Sequence, residues 1–282
     1  MSVKVPYGPV MTPESYVHPA TLTALTSEQI VMVEQLDGDP EALCRVVQGL
    51  VVQPPHADDS GLSETRRNER NLRPATALFA RVKELDDAPI SEPRRLDRRV
   101  VGTCRHFAVM SCALLRARGL PARARCGFAT YFIPDRHVDH WITEYWSNDD
   151  ARWVRIDSEI LGLDLVPRPH DLADDEFLTG GEAWQLCRRG ARDAMTFGVV
   201  GTDHAWGPAE IHGNAIRDLA ALNKVEMLPW DEWGPMHASY AGEAGPELDE
   251  VIDDVAVVCA SEDGTRLRAL YDTLRVPEAM IG

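Results

Sequence analysis

No apolar run in this sequence approaches the ~18 residues of a membrane-spanning helix, so no membrane segment is expected. The first twenty residues, MSVKVPYGPVMTPESYVHPA, lack the apolar stretch of a signal peptide. No Cys-x-x-Cys pair occurs, and the six cysteines, at 44, 104, 112, 126, 187 and 259, are too scattered to suggest a disulfide framework. They read as free thiols of a reducing cytoplasm. Basic charge is scarce: 29 Lys and Arg face 45 Asp and Glu, a formal net charge of −16. A field of that sign repels polyanions, so neither nucleic acid nor an anionic membrane surface is expected as a partner. Internal repeats and low-complexity tracts are absent as well. What remains is a chain of 282 residues, 44% hydrophobic and 26% charged. That is enough to bury one large core with extensions.

Residues 1–26, rich in Pro, Thr and Tyr, read as an irregular arm. Helices are expected at 27–36, at 40–52 and, with Pro74 opening it, at 74–86. The segments QPPHADDSG and APISEPRR read as breaks between them. From residue 100 the pattern sharpens. Thr103 is placed to cap a helix beginning at Cys104, and Gly119 and Pro121 to end it. Alternation from Ala122 to Phe132 predicts a strand. PDRHVD then makes a turn, HWITEYW a second strand, SNDD a hairpin turn and RWVRID a third strand. Farther on, helices are expected at 181–190, 215–228, 246–259 and 264–274. The last two read as structural.

Three residues in this stretch have the types and positions of a thiol catalytic triad. A cysteine attacks as its thiolate, and both a helix N-terminus and a nearby imidazolium favour that form. Cys104 opens a helix, whereas Cys112 is buried within the same helix and Cys126 sits in a strand. The imidazole would come from His140 and the orienting carboxylate from Asp157. A hairpin turn centred on Asn148–Asp149, with a loop of even length and no bulge, sets His140 and Asp157 directly opposite each other, with Cβ atoms about 4.5–5.5 Å apart. Each residue alone has a plainer reading, as a buried small hydrophobe, a structural histidine or a solvated carboxylate. The argument rests on their combination.

Other constellations carry less. Asp135, His137, Asp139 and His140 resemble a metal cluster, but nothing completes the ligand set, and neither metal nor cofactor is expected. His106 lies two residues after Cys104, a helical spacing that faces away from the thiol. Cys187 has no acid–base partner in sequence. Trp141, Trp146 and Trp153 flank the base and the acid, and any of them could offer an indole N–H. Arg94, Arg95, Arg98 and Arg99 before the thiol, with Arg105, Arg123 and Arg125 after it, form either a solvated face or a local positive field.

The run GTCRHFAVMSCALLRARGLPARARCGF, then DHWITEYW, then RWVRID resembles the transglutaminase-like superfamily. It shows that family's Gly-x-Cys helix, its Leu-Arg-x-x-Gly-x-Pro-Ala-Arg exit, its Asp-His-Trp-x-x-Glu-Tyr strand and its Trp-x-x-x-Asp strand. The resemblance covers about 60 residues and implies a papain-related α+β fold, with Cys104 as nucleophile, His140 as base and Asp157 as orienting acid. It also implies an oxyanion hole made by the Cys104 backbone N–H and one upstream side chain, for which Gln48, Gln53 and Asn68 are candidates. Downstream, FLTGGEAWQLCRRG and RDLAALNKVEMLPWDEW resemble bacterial transglutaminase-like proteins. The Arg-Gly-Gly-x-Cys lead of arylamine N-acetyltransferases is missing, since Val101, Gly102 and Thr103 stand there.

The expected organisation is an N-terminal arm and helices at 1–95, a catalytic core at 96–165 and a mostly helical extension at 166–282. The expected function is a cysteine-dependent amide hydrolase or acyltransferase acting on an amide- or acyl-bearing peptide, protein or small molecule. Hydrolysis is favoured because no amine pocket is legible, with PWDEWGP as a candidate lid. The alternatives are acyl transfer from a CoA or carrier-protein thioester, and a non-catalytic binding module.

Overall fold

Caps and prolines punctuate the N-terminal half. The computed structural model describes residues 12–53, 62–202, 205–261 and 263–280. Residues 1–11 of the expected arm at 1–26, and nearly all of the QPPHADDSG loop, lie outside them. Helix α1 is Ser27–Glu34 and opens on a reciprocal box. The Thr26 hydroxyl accepts from the Gln29 N–H at 3.2 Å, and the Gln29 side chain accepts from the Thr26 N–H at 3.0 Å. Helix α2 is Pro40–Leu50, capped by Asp39, and runs straight into β1, Val51–Val52. A short α3, Glu64–Arg67, precedes α4, Ala75–Leu85. Pro74 is the cap residue of α4 rather than its first helical residue. Strand β2, Val100–Val101, pairs in parallel with β1, setting Val52 beside Val101. Two residues later the central helix begins.

That helix, α5, is Cys104–Ala117. It ends at Gly119, whose φ of +75° is a conformation that disfavours a side chain. Strands β3, Ala122–Ala129, β4, His137–Ser147, and β5, Arg152–Ile156, follow as an antiparallel meander. Strand β6, Phe177–Thr179, adds to the free edge of β3. Helix α6 is Gly180–Arg188, and β7, Phe197–Gly198, pairs in parallel with β4. The sheet order is β5-β4-β3-β6, so residues beyond 165 complete the sheet. Helices α7, Pro208–Leu222, α8, Pro235–Tyr240, α9, Pro246–Ser261, and α10, Gly264–Leu274, make up the rest.

Helix α7 differs from the sequence expectation at both ends. It starts at Pro208, directly after Gly207 at φ +93°, and stops before Lys224, which is left-handed at φ +62°. The sequence reading ran on because Val225, Met227 and Leu228 prolong the apolar pattern. All three are buried, but in extended chain. The segment PWDEWGP is pinned rather than lid-like. Trp233 is 1% exposed, and Asp231 grips Arg73 at 2.6 and 2.8 Å.

Two apolar clusters sandwich the sheet. One gathers α5 with Leu43, Val47, Leu78 and Phe79 from α2 and α4, against Ala122, Ala124, Cys126 and Trp141 of the sheet. The other gathers α7, including Ile211, Ala215 and Leu219, with α9, Trp184 and Phe128. The fold is therefore α+β, a cysteine-bearing helix packed on a curled antiparallel sheet with helical extensions at both ends.

Candidate active site

Three local features carry Cys104, His140 and Asp157 to one place. The first is the start of α5. The Thr103 backbone N–H donates to His106 Nδ1 at 3.0 Å, and the Thr103 hydroxyl lies 3.1 Å from the same nitrogen. His106 Nε2 therefore carries the proton and donates to the Leu72 carbonyl at 3.1 Å. His106 thus ties down the turn that presents Cys104, and its ring is spent on that task. Burial, with the Arg105 charge adding, pulls His106 down to about 3, so it stays neutral.

The second feature is the long β4. It begins at His137 instead of His140, which puts His140 inside the strand, paired with Gly127. Gly127 has no room for a side chain. A Cβ there would lie 2.0 Å from the Leu178 carbonyl oxygen of β6. The third is the β4–β5 hairpin. Its pairing closes on Ser147 and Arg152, so the turn holds four residues, Asn148–Ala151, with Ala151 at φ +50°. The Ser147 hydroxyl binds both the Asp150 N–H and the Asp150 carboxylate. The register is thereby displaced by two residues from the expected one. Asp157 falls just past the end of β5, as a diagonal rather than a direct neighbour of His140. A shift of two keeps both on one face, whereas a shift of one would separate them.

The outcome is a closed contact. His140 Nε2 lies 2.8 Å from Asp157 Oδ2, which leaves Nδ1 for the sulfur. The Cys104 thiol is close enough to the same ring to interact with it. All three residues are buried: Cys104 is 4%, His140 2% and Asp157 0% exposed. Asp157 is well held. Its Oδ2 also accepts from the Tyr131 hydroxyl at 2.5 Å, its Oδ1 accepts from the Glu159 N–H at 3.0 Å, and its own N–H donates to the Pro169 carbonyl. Phe132 packs edge-on to the His140 ring at 5.0 Å.

Electrostatics divide the roles. Burial opposes charge on His140, but Asp157 and Cys104 outweigh it and lift the imidazole well above its ordinary value. Burial pushes the Cys104 thiol up to about 11 even against the downward pull of His140. The expected lowering of the thiol is thus reversed in the closed site, and the proton must leave as the sulfur attacks. The arginines do not supply a positive field there. Arg94 and Arg105 are buried and spent on backbone carbonyls. Arg123 and Arg125 bind Glu144, and Arg125 also binds Asp218. Arg95 and Arg98 are exposed. The charges that bear on the thiol are His140, Asp139 and Glu159.

Residues 65–158 match the family described as the transglutaminase-like superfamily. In general terms this supports a cysteine-dependent enzyme. A solved structure, a provisionally named cysteine protease from Cytophaga hutchinsonii, aligns with 56% of this chain at 18% identity and a TM-score of 0.35. The alignment spans 44% of that protein, less than half its length. No curated protein matches this chain.

Within the matched segment, three of the four metal-like residues go to separate partners. His137 stacks on Phe197 at 4.0 Å and contacts Thr196, Asp139 accepts from Asn214, and His140 meets Asp157. Asp135 sits in the β3–β4 turn at φ +60°. The three oxyanion candidates also separate. Asn68 is exposed, and Gln48 lines a surface groove with Arg45 and Pro93. Gln53 directly follows β1, whose pairing with β2 sets it at the level of Gly102, next to the start of α5. Its Oε1 is buried without a partner among the described residues. Trp141 is core, 1% exposed, and Arg123 lies over the Trp153 ring at 3.9 Å. Sequence reasoning missed Tyr131 and Glu159. Tyr131 lies in the run expected to be strand, but β3 stops at Ala129 and Tyr131 comes from the turn beyond it; Glu159, two residues beyond a proposed catalytic acid, was open to inspection.

Proposed function

We propose that this chain is a cysteine-dependent amide hydrolase or acyltransferase working through a thioester at Cys104. The observation that carries the reading is a single imidazole, His140, hydrogen-bonded to Asp157 and interacting with the thiol that opens α5. His140 takes the thiol proton while the sulfur attacks the acyl carbon. The oxyanion that forms is met by the Cys104 backbone N–H, which as a first-turn donor has no intrahelical acceptor, and by the Gln53 amide. The tetrahedral adduct collapses, the carbon–nitrogen bond breaks, and the imidazolium returns its proton to the departing amine. Water or a second amine, deprotonated by the same imidazole, then releases the acyl group and restores the thiol. Asp157 holds the ring in place and stabilises the imidazolium throughout.

Intact-mass spectrometry after mixing with a panel of activated amides and thioesters tests this reading. One acyl group should appear on the wild-type chain, should map to Cys104, and should be lost in Cys104→Ala. Acylation elsewhere, or none across the panel, would return the chain to the binding-module reading.

A further inference from the structure

Glu159 is buried beside the triad without a partner. It is 6% exposed, and among the described residues neither carboxyl oxygen has a hydrogen bond or a salt bridge. Oε2 is wholly enclosed. The other buried acids named above are satisfied. Glu144 faces Arg123, Arg125 and Arg155, Asp218 is gripped by two nitrogens of Arg125, and Asp139 accepts from Asn214. An unpaired buried carboxylate is costly, and in a folded protein one facing a reactive centre is a group awaiting a partner.

The geometry fixes where Glu159 sits. Its backbone N–H holds Asp157 Oδ1 at 3.0 Å, two residues along the same turn. Its charge is felt by Cys104, His140 and Tyr131. The titratable groups that interact with it are Asp157 from its own segment, His140 from β4, Cys104 from α5 and Tyr131 from the β3–β4 turn. Only the imidazole among them can become cationic, and it is already committed to Asp157 and the thiol. With the arginines turned elsewhere, the surplus charge at the centre is negative.

Resting on the thioester reading above, we propose that Glu159 is a specificity-determining residue that binds an ammonium group of the molecule reacting at Cys104. The ammonium is carried either by the acyl donor, near its scissile bond, or by an amine that accepts the acyl group. In the second case the carboxylate also takes a proton from the ammonium and so frees the nitrogen lone pair that attacks the thioester. Burial raises the Glu159 carboxyl to about 7, with Asp157 adding and His140 opposing. A carboxylate at that level can exchange a proton with an amine near neutrality.

Alkylation of Cys104 tests the proposal without a known substrate. The probes are 2-bromoethylammonium and bromoacetamide, one cationic and one neutral, with the rate at Cys104 read by peptide mapping near pH 7.5. The ratio of the two rates cancels any general effect of a substitution. Glu159→Gln should lower the cationic-to-neutral ratio by about tenfold, the worth of one charge-assisted hydrogen bond. Glu159→Asp should retain part of the preference, which shows that charge rather than bulk is responsible. An equal ratio in all three proteins would overturn the proposal. Failure of either reagent to label Cys104 would instead overturn the thioester reading beneath it. Two further substrates separate the sources. If p-nitrophenyl glycinate loses its advantage over p-nitrophenyl acetate in Glu159→Gln, the ammonium belongs to the donor. If the acetate ester gives amide that saturates with ethylamine in wild type but not in Glu159→Gln, it belongs to the acceptor.

Discussion

At the scale of single residues, the contacts of Asp157 Oδ2 are the most informative. One oxygen accepts from both His140 and Tyr131, at 2.8 and 2.5 Å. Removing the phenol would leave His140 to settle against a carboxylate with one donor fewer. Tyr131→Phe should therefore lower kcat/KM about tenfold with a native circular dichroism spectrum, since a hydrogen bond to a charged group is worth about 1.5–3 kcal/mol. Asp157→Asn should cost about three to four orders of magnitude, because the amide supports neither the ring tautomer nor the imidazolium. A Tyr131→Phe loss as large as that of Asp157→Asn would give the phenol a direct part in the chemistry. The candidate triad was legible because cysteine, histidine and aspartate announce their chemistry and lie on periodic elements. Tyr131 was not. Alternation placed it on a strand running to Phe132, whereas β3 ends at Ala129 and Tyr131 reaches Asp157 from the irregular turn beyond.

At the scale of elements, α5 and the hairpin teach opposite lessons. The start of α5 was readable from Thr103 and its end from Gly119, because capping chemistry is local. The expectation that His106 points away from the thiol agrees with its bonds to Thr103 and Leu72, but its capping role needed the structure. That role has a sign in pH. His106 falls to about 3 in the folded chain, below its ordinary value near 6.5, so the unfolded chain takes up the proton first. Its contribution to stability is complete above pH 6.5 and is lost as pH falls toward 3. His106→Gln keeps an acceptor for the Thr103 N–H but cannot charge. Measured by urea unfolding, wild type should be the more stable protein at pH 7.5, and the gap should narrow steadily from pH 6.5 to 4. Parallel curves would show that His106 is not held neutral. The hairpin, by contrast, was misjudged by two residues because SNDD permits turns of two and of four. Only the Ser147–Asp150 contacts select the longer one.

At the scale of the whole molecule, the sheet is the partition. One face receives α5. On the side of α7, the arginines expected near the thiol are neutralised by Glu144 and Asp218. This could not be read from the sequence, because Asp218 lies 93 residues beyond the Arg125 it binds. The same partition governs the cysteines. Cys44, Cys112, Cys126 and Cys259 are buried, and burial raises all of them. Cys187 is half-buried and the best exposed of the six thiols. Exposure alone therefore favours Cys187, whereas the triad favours Cys104, because the neighbouring His140 gives its proton a place to go. The deciding measurement is the order in which iodoacetamide labels the six cysteines of the native protein near pH 6, followed by peptide mapping. The account predicts that Cys104 is labelled first and that His140→Ala removes its lead. Labelling of Cys187 ahead of Cys104, or equal labelling of several thiols, would contradict it.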